Sequence, residues 1–306
     1  MPNHIYNVIT LEGDDAEIDR LFQSVKSAEA DFDFDKVIPM PPSLNMTDGS
    51  ITTTSVTAYL RVVNPANVTL IDPAYPKMQP NDFTNISQYF KNAYCIKDDE
   101  LNDCTSPVDP ALLKDGEIYV NNYIQYGSTT WYNWRVANWG TKWSAYEVDA
   151  DRPNAMISFN TAWSTPIPIF EELSRKFPDL SIHFAYTCEF MGDSAGHGTF
   201  ENGNLIDYVD HPTGSKEAFD EFFAIVGTTA TDEGFVYDPT SNTYVYIGDN
   251  SENISVKDSY LKPRIGTRTY EYKATPQSNP LTILRRIDPY TKKYDNEEEI
   301  NIWLIP

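Results

Sequence analysis

Three segments of this chain alternate in character from residue to residue, and amphipathic helical patterns lie between them. In His4–Leu11, Ile5, Asn7, Ile9 and Leu11 fall on one side and Tyr6, Val8 and Thr10 on the other. Met156–Trp163 places Ile157, Phe159, Thr161 and Trp163 on one face, and Ser181–Cys188 does the same with Ile182, Phe184, Tyr186 and Cys188. Period two is the mark of a strand with one buried face. After the first segment, Ile18, Leu21, Phe22 and Val25 recur at helical spacing, and Ile169, Phe170, Leu173 and Phe177 repeat that stripe after Pro166 and Pro168. A single apolar stripe must pack on something, and the adjacent strands supply it. The pattern therefore predicts an α+β fold, helices layered over a mostly antiparallel sheet.

The segment Phe32–Ile38 reads as a further strand, with Phe32, Phe34 and Lys36 opposed to Asp31, Asp33 and Asp35, stopped by Pro39-Met40-Pro41-Pro42. Strand, helix, strand is the opening half of a split β-α-β sandwich. Residues 43–117 are rich in Pro, Asn, Asp, Ser and Thr and read as a long, partly ordered insertion with one short helix near Asn85–Tyr94. A helical pattern resumes over Ile118–Asn138, divisible at Gly127, and leads to a strand near Ala145–Asp149. Gly192, Gly196, Gly198 and Gly203 predict a loop, with a strand within Thr199–Tyr208. Lys216–Val226 reads as an amphipathic helix, and Phe235–Tyr237 with Tyr244–Ile247 as a hairpin around Asp238–Asn242. Arg268–Tyr272 and Ile300–Ile305 predict short strands. The expected division is a core over 1–205 and a C-terminal α+β extension over 206–306.

Composition excludes several classes. The chain of 306 residues is 41% hydrophobic and 13% aromatic, enough for a packed core despite a formal charge of −22. No window approaches 18 uninterrupted apolar residues, so no membrane span is expected. The first residues lack the basic and apolar runs of a signal peptide. Cys95, Cys104 and Cys188 form neither a metal pattern nor a disulfide framework, which fits a reducing cytoplasm. Four Asn-x-Ser/Thr sequons then read as chance. Direct nucleic-acid binding is disfavoured, because phosphate contacts need local cations.

The charge is unevenly spread. Residues 201–258 carry twelve acids against two bases, whereas 259–293 carry eight bases against two acids. Such stretches either pair across one fold or form solvated faces, or they make an acidic face that imitates a phosphate backbone or docks on a basic partner. In the second case the carriers are Asp207, Asp210, Asp220, Glu221, Asp232 and Glu233.

Catalytic motifs are weak. Asp193, Ser194 and His197 share one Gly-rich segment and are the only candidate hydrolytic or ligand-binding set, but sequence neighbours rarely form a triad. No His-x-x-x-His or Cys-x-x-Cys spacing occurs, and Asp249–Asn253 lacks the Gly and final Glu of a calcium loop. No catalytic residue, metal or cofactor is assigned. Trp131, Trp134, Trp139, Trp143 and Trp163 lie within 33 residues. They either line an aromatic groove or hold a corner of the fold with Lys142 over a ring; the corner is the favoured reading.

Together, the N-terminal MPN-x-x-x-N strand, FDFDKVIPMP, Asn138-Trp139-Gly140-Thr141-Lys142-Trp143 and FNTAWSTPIPIFEELSRKFP, with Thr161 and Trp163, resemble the YubB ferredoxin-like domain family of plasmids, phages and related mobile elements. The matching pieces lie at 2–42 and 131–190. The sequence departs from that family at Asn3–Asn7, where an N-W-C-x-N strand is usual, and lacks a Cys near Trp131–Arg135. The resemblance implies a ferredoxin-like split β-α-β sandwich and a mobile-element setting; it implies no activity, and no iron–sulfur ligand set exists. With the acidic surplus, it leads to the expectation of a non-enzymatic cytoplasmic protein that binds a host protein, as an inhibitor of a nucleic-acid-targeting defence system. The alternatives are a ligand binder or hydrolase at Asp193, Ser194 and His197, or an assembly protein that forms homo-oligomers through sheet edges or through its basic 259–293 segment meeting an acidic face.

Overall fold

In a computed structural model of the chain, residues 3–67 and 75–248 are described, together with the backbone of short strands between Tyr260 and Ile300. The chain segregates into two interleaved units, one comprising 1–184 with 198–208, the other 185–197 with 209–306.

The first unit opens with β1 (His4–Glu12) and α1 (Asp15–Val25). Asp14 caps α1 by accepting from the Ala16 N–H at 2.8 Å, and Ile18, Leu21 and Val25 are buried. The expected strand over 32–38 is instead a turn into a one-turn helix, α2 (Phe34–Val37). Asp33 accepts from the Asp35 N–H at 3.0 Å and so starts a helix where a strand was expected. Phe32, Phe34 and Val37 are nevertheless buried, with both rings edge-on to Phe159 at 5.0 and 5.9 Å between centroids. Alternation and a helical i, i+3 pair use the same apolar residues here, which is why period two misleads.

The next segment is far more ordered than its composition implies. It holds α3 (Ser50–Val63), α4 (Pro80–Tyr94), α5 (Asp98–Asn102), α6 (Pro110–Tyr126) and α7 (Trp131–Trp139). Val56, Leu60 and Val63 of α3 pack with Phe90, Leu101, Tyr119 and Val120 as one buried cluster. Thr and Val are indifferent helix formers, so α3 owes its helicity to this packing and not to local preference. Buried Asn64 and Asn67 both donate to the Leu101 carbonyl, at 3.0 and 2.8 Å, tying the end of α3 to α5. Gly127 ends α6 in a left-handed cap, dividing it from α7.

The chain then forms β2 (Tyr146–Asp151), β3 (Met156–Ala162), α8 (Ile167–Lys176), β4 (Ser181–Cys188), β5 (Ala195–Glu201) and β6 (Asn204–His211). These strands and β1 make one sheet in the order β2-β3-β1-β4-β5-β6. β3 pairs antiparallel with both β1 and β2, in a register that sets Asn7 opposite Phe159. With β3 between β1 and β2, and β1 between β3 and β4, the fold is a ferredoxin-like split β-α-β sandwich, α+β as the sequence predicts. The strand that completes its first half is β2, not residues 32–38, so all the helices α2–α7 lie within that first crossover. Ile5, Ile9, Ile157, Phe159, Phe170, Leu173, Ile182 and Phe184 are all buried.

The chain passes from one unit to the other within β4, β5 and β6. The expected loop over 192–203 is mostly β5, and Asn202 and Gly203, both at positive φ, form the two-residue turn into β6. In the second unit, α9 (Lys216–Val226) is capped by Ser215 and buries Ala218, Phe219, Phe222 and Phe223. The hairpin of β7 (Phe235–Asp238) and β8 (Thr243–Tyr246) follows, with Tyr244 5.5 Å from the Phe219 ring. The backbone beyond contains β9 (Tyr260–Leu261), β10 (Arg264–Ile265), β11 (Arg268–Thr269), β12 (Glu271–Thr275), β13 (Ile283–Ile287) and β14 (Tyr294–Ile300). The expected strand Ile300–Ile305 lies outside the described residues apart from Ile300, and Asp249–Asn253 lies outside them entirely.

Candidate functional sites

The residues of the tryptophan motif divide between core and surface. Trp134 and Trp139 are buried, and the Trp139 indole donates to the Ile38 carbonyl at 2.9 Å. Asn138 donates to the Trp134 carbonyl, and Gly140 ends α7 in a left-handed cap. Thr141 donates to the Ala162 carbonyl at 2.9 Å, and Thr161 to that of Ser164 at 2.8 Å while accepting from Asn7. These bonds fasten the end of α7 to the end of β3. Arg135 lies over the rings of Trp131 and Trp139, and burial pushes its guanidinium pKa down, against the opposing pull of Asp35 and Asp33. Trp143 and Trp163 are exposed, with the Lys142 ammonium 4.0 and 3.6 Å from their ring centroids. Trp163 holds a left-handed backbone at φ 71° and is 52% exposed.

The six acidic residues are less available than their number suggests. Asp207 is exposed on β6, in the first unit. In the second, Asp210 accepts from the Tyr186 hydroxyl at 2.8 Å, and Asp220 pairs with Lys216 and accepts from Tyr244 at 2.8 Å. Asp232 accepts from Thr229 and Glu233 from Thr228, at 2.6 and 2.9 Å. Glu221 faces two histidines.

The Asp193, Ser194 and His197 set does not converge as a triad. No hydrogen bond joins Ser194 to His197; the Ser194 carbonyl accepts from Cys188 at 2.7 Å, and Asp193 accepts from Thr213. Ser194 lies in the bend before β5, whereas His197 lies within the strand. His197 turns instead to Glu221, with Nδ1 3.0 Å from Oε2. His211 Nε2 stands 3.3 Å from the same oxygen, and the two imidazole centroids are 5.4 Å apart. One donor atom from each residue lies within 4.8 Å of the others.

Three elements build this cluster with residues of the second unit: β5 carries His197, β6 His211 and α9 Glu221. Gly196 lets the strands close, since a Cβ there would lie 2.3 Å from the Val209 carbonyl oxygen. Gly192 does the same under α9, where a Cβ would meet the Phe219 ring at 2.5 Å. The spacing carries no local metal motif, so the cluster escapes a motif search. The sequence signal for it is Asn202-Gly203, which folds the chain back and returns His211 towards His197.

This fold and these sites define the class as a ferredoxin-like α+β protein. Residues 139–229, from the end of α7 through α9, match the model of a family described as a ferredoxin-like domain in Api92-like protein. That match supplies the ferredoxin-like class and does not carry the YubB name. The chain is also similar to a solved structure, that of protein api92 from Yersinia pseudotuberculosis. Identity is 10%, over 70% of this chain and 99% of the other, at a TM-score of 0.34. No curated protein matches the chain. Among the described residues, no helix is long and apolar enough to cross a membrane.

Proposed function

We propose that the chain is a protein-binding module and not an enzyme, and that residues 204–208 of β6 take up an extended segment of its partner. The observation that carries this reading is the end strand of the sheet. Among the described residues β6 has a strand on one side only, and Leu205, Ile206 and Tyr208 along it are exposed, Ile206 by 58%. Sheet edges are usually blunted by Lys, Pro or a covering element, because an open ladder of N–H and C=O groups pairs with other chains. Here Asp207 is the single charge among three large apolar side chains. Strand addition would supply backbone hydrogen bonds, with side-chain contacts setting preference for apolar residues and for Lys or Arg opposite Asp207.

The acidic face in a basic groove is the weaker form of the same reading, because most of its carboxylates are already bonded within the second unit. The setting we propose is that of the YubB resemblance: a phage or other mobile element, with a cytoplasmic host protein as partner. Support for it comes from the motif residues Asn138–Trp143 with Thr161–Trp163.

The test is selection of random seven-residue peptides on the full chain. Enriched sequences are expected to alternate apolar residues and include a Lys or Arg. Ile206→Lys, with an unchanged thermal midpoint, should weaken their binding at least ~10-fold, since burying an Ile contributes about 1.5–3 kcal/mol. No enrichment, or equal binding by the variant, would overturn the proposal. So would a homodimer that Ile206→Lys dissociates, because the occupant would then be a second copy.

A further inference from the structure

We infer that His197, His211 and Glu221 form a site for a divalent transition-metal ion of the zinc class. The inference is independent of the β6 reading, since it concerns side chains of the second unit alone. Its basis is the convergence of three donors from three separate elements. In a tetrahedral zinc site with bonds near 2.0–2.2 Å, neighbouring ligand atoms are about 3.3 Å apart. Two of the three separations here, 3.0 and 3.3 Å, already have that size, and all fall within 4.8 Å. An ion needs to draw the two imidazole nitrogens together by no more than about 1.5 Å.

Electrostatics favours the same conclusion. The side chains of Glu221 and His211 are only 17% and 10% exposed. A carboxylate so placed needs a compensating charge. Among the described residues Glu221 pairs with no Lys or Arg; its ion-pair partners are His197 and His211. The two imidazoles are therefore its polar neighbours, either as N–H donors to Oε2 or as fellow ligands of a cation. Two imidazoles and one carboxylate suit Zn²⁺, and also Fe²⁺, Co²⁺ or Ni²⁺, better than the oxygen-loving Ca²⁺ or Mg²⁺. The His197 side chain is 43% exposed, so the fourth position would be reached by water. The ion would clasp the ends of β5 and β6 to α9, and three protein ligands with a water is the pattern of an open site.

The experiment is titration of the chelator-stripped full chain with Co²⁺, read by visible d–d absorption, followed by displacement with Zn²⁺. One equivalent is expected to give the intense bands of a tetrahedral complex, and Zn²⁺ to abolish them. Loss of one ligand should cost at least the ~10–100-fold that second-shell changes cost, so His197→Gln, His211→Ala and Glu221→Gln should each weaken binding by that much or more. His197→Gln, at the most exposed position, guards against failure to fold, and far-ultraviolet circular dichroism checks all three. The inference is overturned if the wild-type chain binds neither ion below millimolar concentration. It is equally overturned if the folded variants bind like the wild type, which would place the ion elsewhere.

Discussion

Single residues decide how closely elements approach, and Gly116 is the sharpest case. It lies in α6 where that helix crosses α3, and a Cβ there would sit 2.1 Å from the Ser55 carbonyl oxygen and 2.7 Å from Tyr59 Cβ. Two effects compete in Gly116→Ala. Helix preference favours Ala by about 1 kcal/mol. Overpacking costs about 1–3 kcal/mol, towards the upper end here because the obstacle is backbone and cannot rotate away. The variant is therefore expected to be less stable by about 1–2 kcal/mol, seen as a lower urea midpoint with an unchanged slope. A gain in stability would mean that α3 and α6 lie further apart than described. Asn7 shows the same economy in polar terms: buried, it donates to the Ile5 carbonyl and the Thr161 hydroxyl, both at 2.9 Å, at a position where an apolar residue would be expected.

Among elements, the connection between α3 and α5–α6 depends on a charged clasp. Arg61 donates to the Asp103 and Ser106 carbonyls at 2.8 and 2.9 Å and pairs with the Asp103 carboxylate at 3.2 Å. Hydrogen bonds from Ser106 first, then from Thr105, hold the Asp103 carboxyl well below the usual carboxylate range. A depressed folded-state pKa contributes stability that is complete above the unfolded value. That contribution is lost as pH falls below about 4 towards the folded value. Asp103→Asn should therefore shrink the drop in denaturation midpoint between pH 7 and pH 3; an equal drop would exclude Asp103 as a contributor. The legibility of the elements follows from how each is stabilised. β1, α1, α8, α9 and the first halves of β3 and β4 carry their burial pattern in sequence, because there one face meets the core; at the end of β3 both faces are buried over Phe159–Ala162 and Trp163 turns outward. α2 and α3 do not. In α2 a cap at Asp33 overrides alternation, and in α3 a run of Thr, Ser and Val is made helical by packing alone. The His197, His211 and Glu221 cluster was illegible for a related reason: its donors come from three elements, and only the hairpin fold at Asn202-Gly203 brings two of them together.

At the scale of the molecule, the interleaving of the two units determines where the chain can be cut. A division after residue 205 would remove all but two residues of β6, and β6 completes the sheet beside β5. Phe200, buried in β5 and 5.7 Å from Phe184, would then lie on an unprotected edge strand. Open edges with large apolar residues associate. A fragment of residues 1–205 is therefore expected to aggregate or unfold over a broad range, whereas 1–211, which keeps the whole of β6, should unfold more cooperatively. Sedimentation velocity and thermal unfolding of the two fragments compare them directly. Matching midpoints and monomeric behaviour in both would mean that β6 contributes nothing to the stability of the sheet. Its exposed residues would then belong to an appended strand, and the reading of β6 as a built edge for partner strands would lose its structural basis.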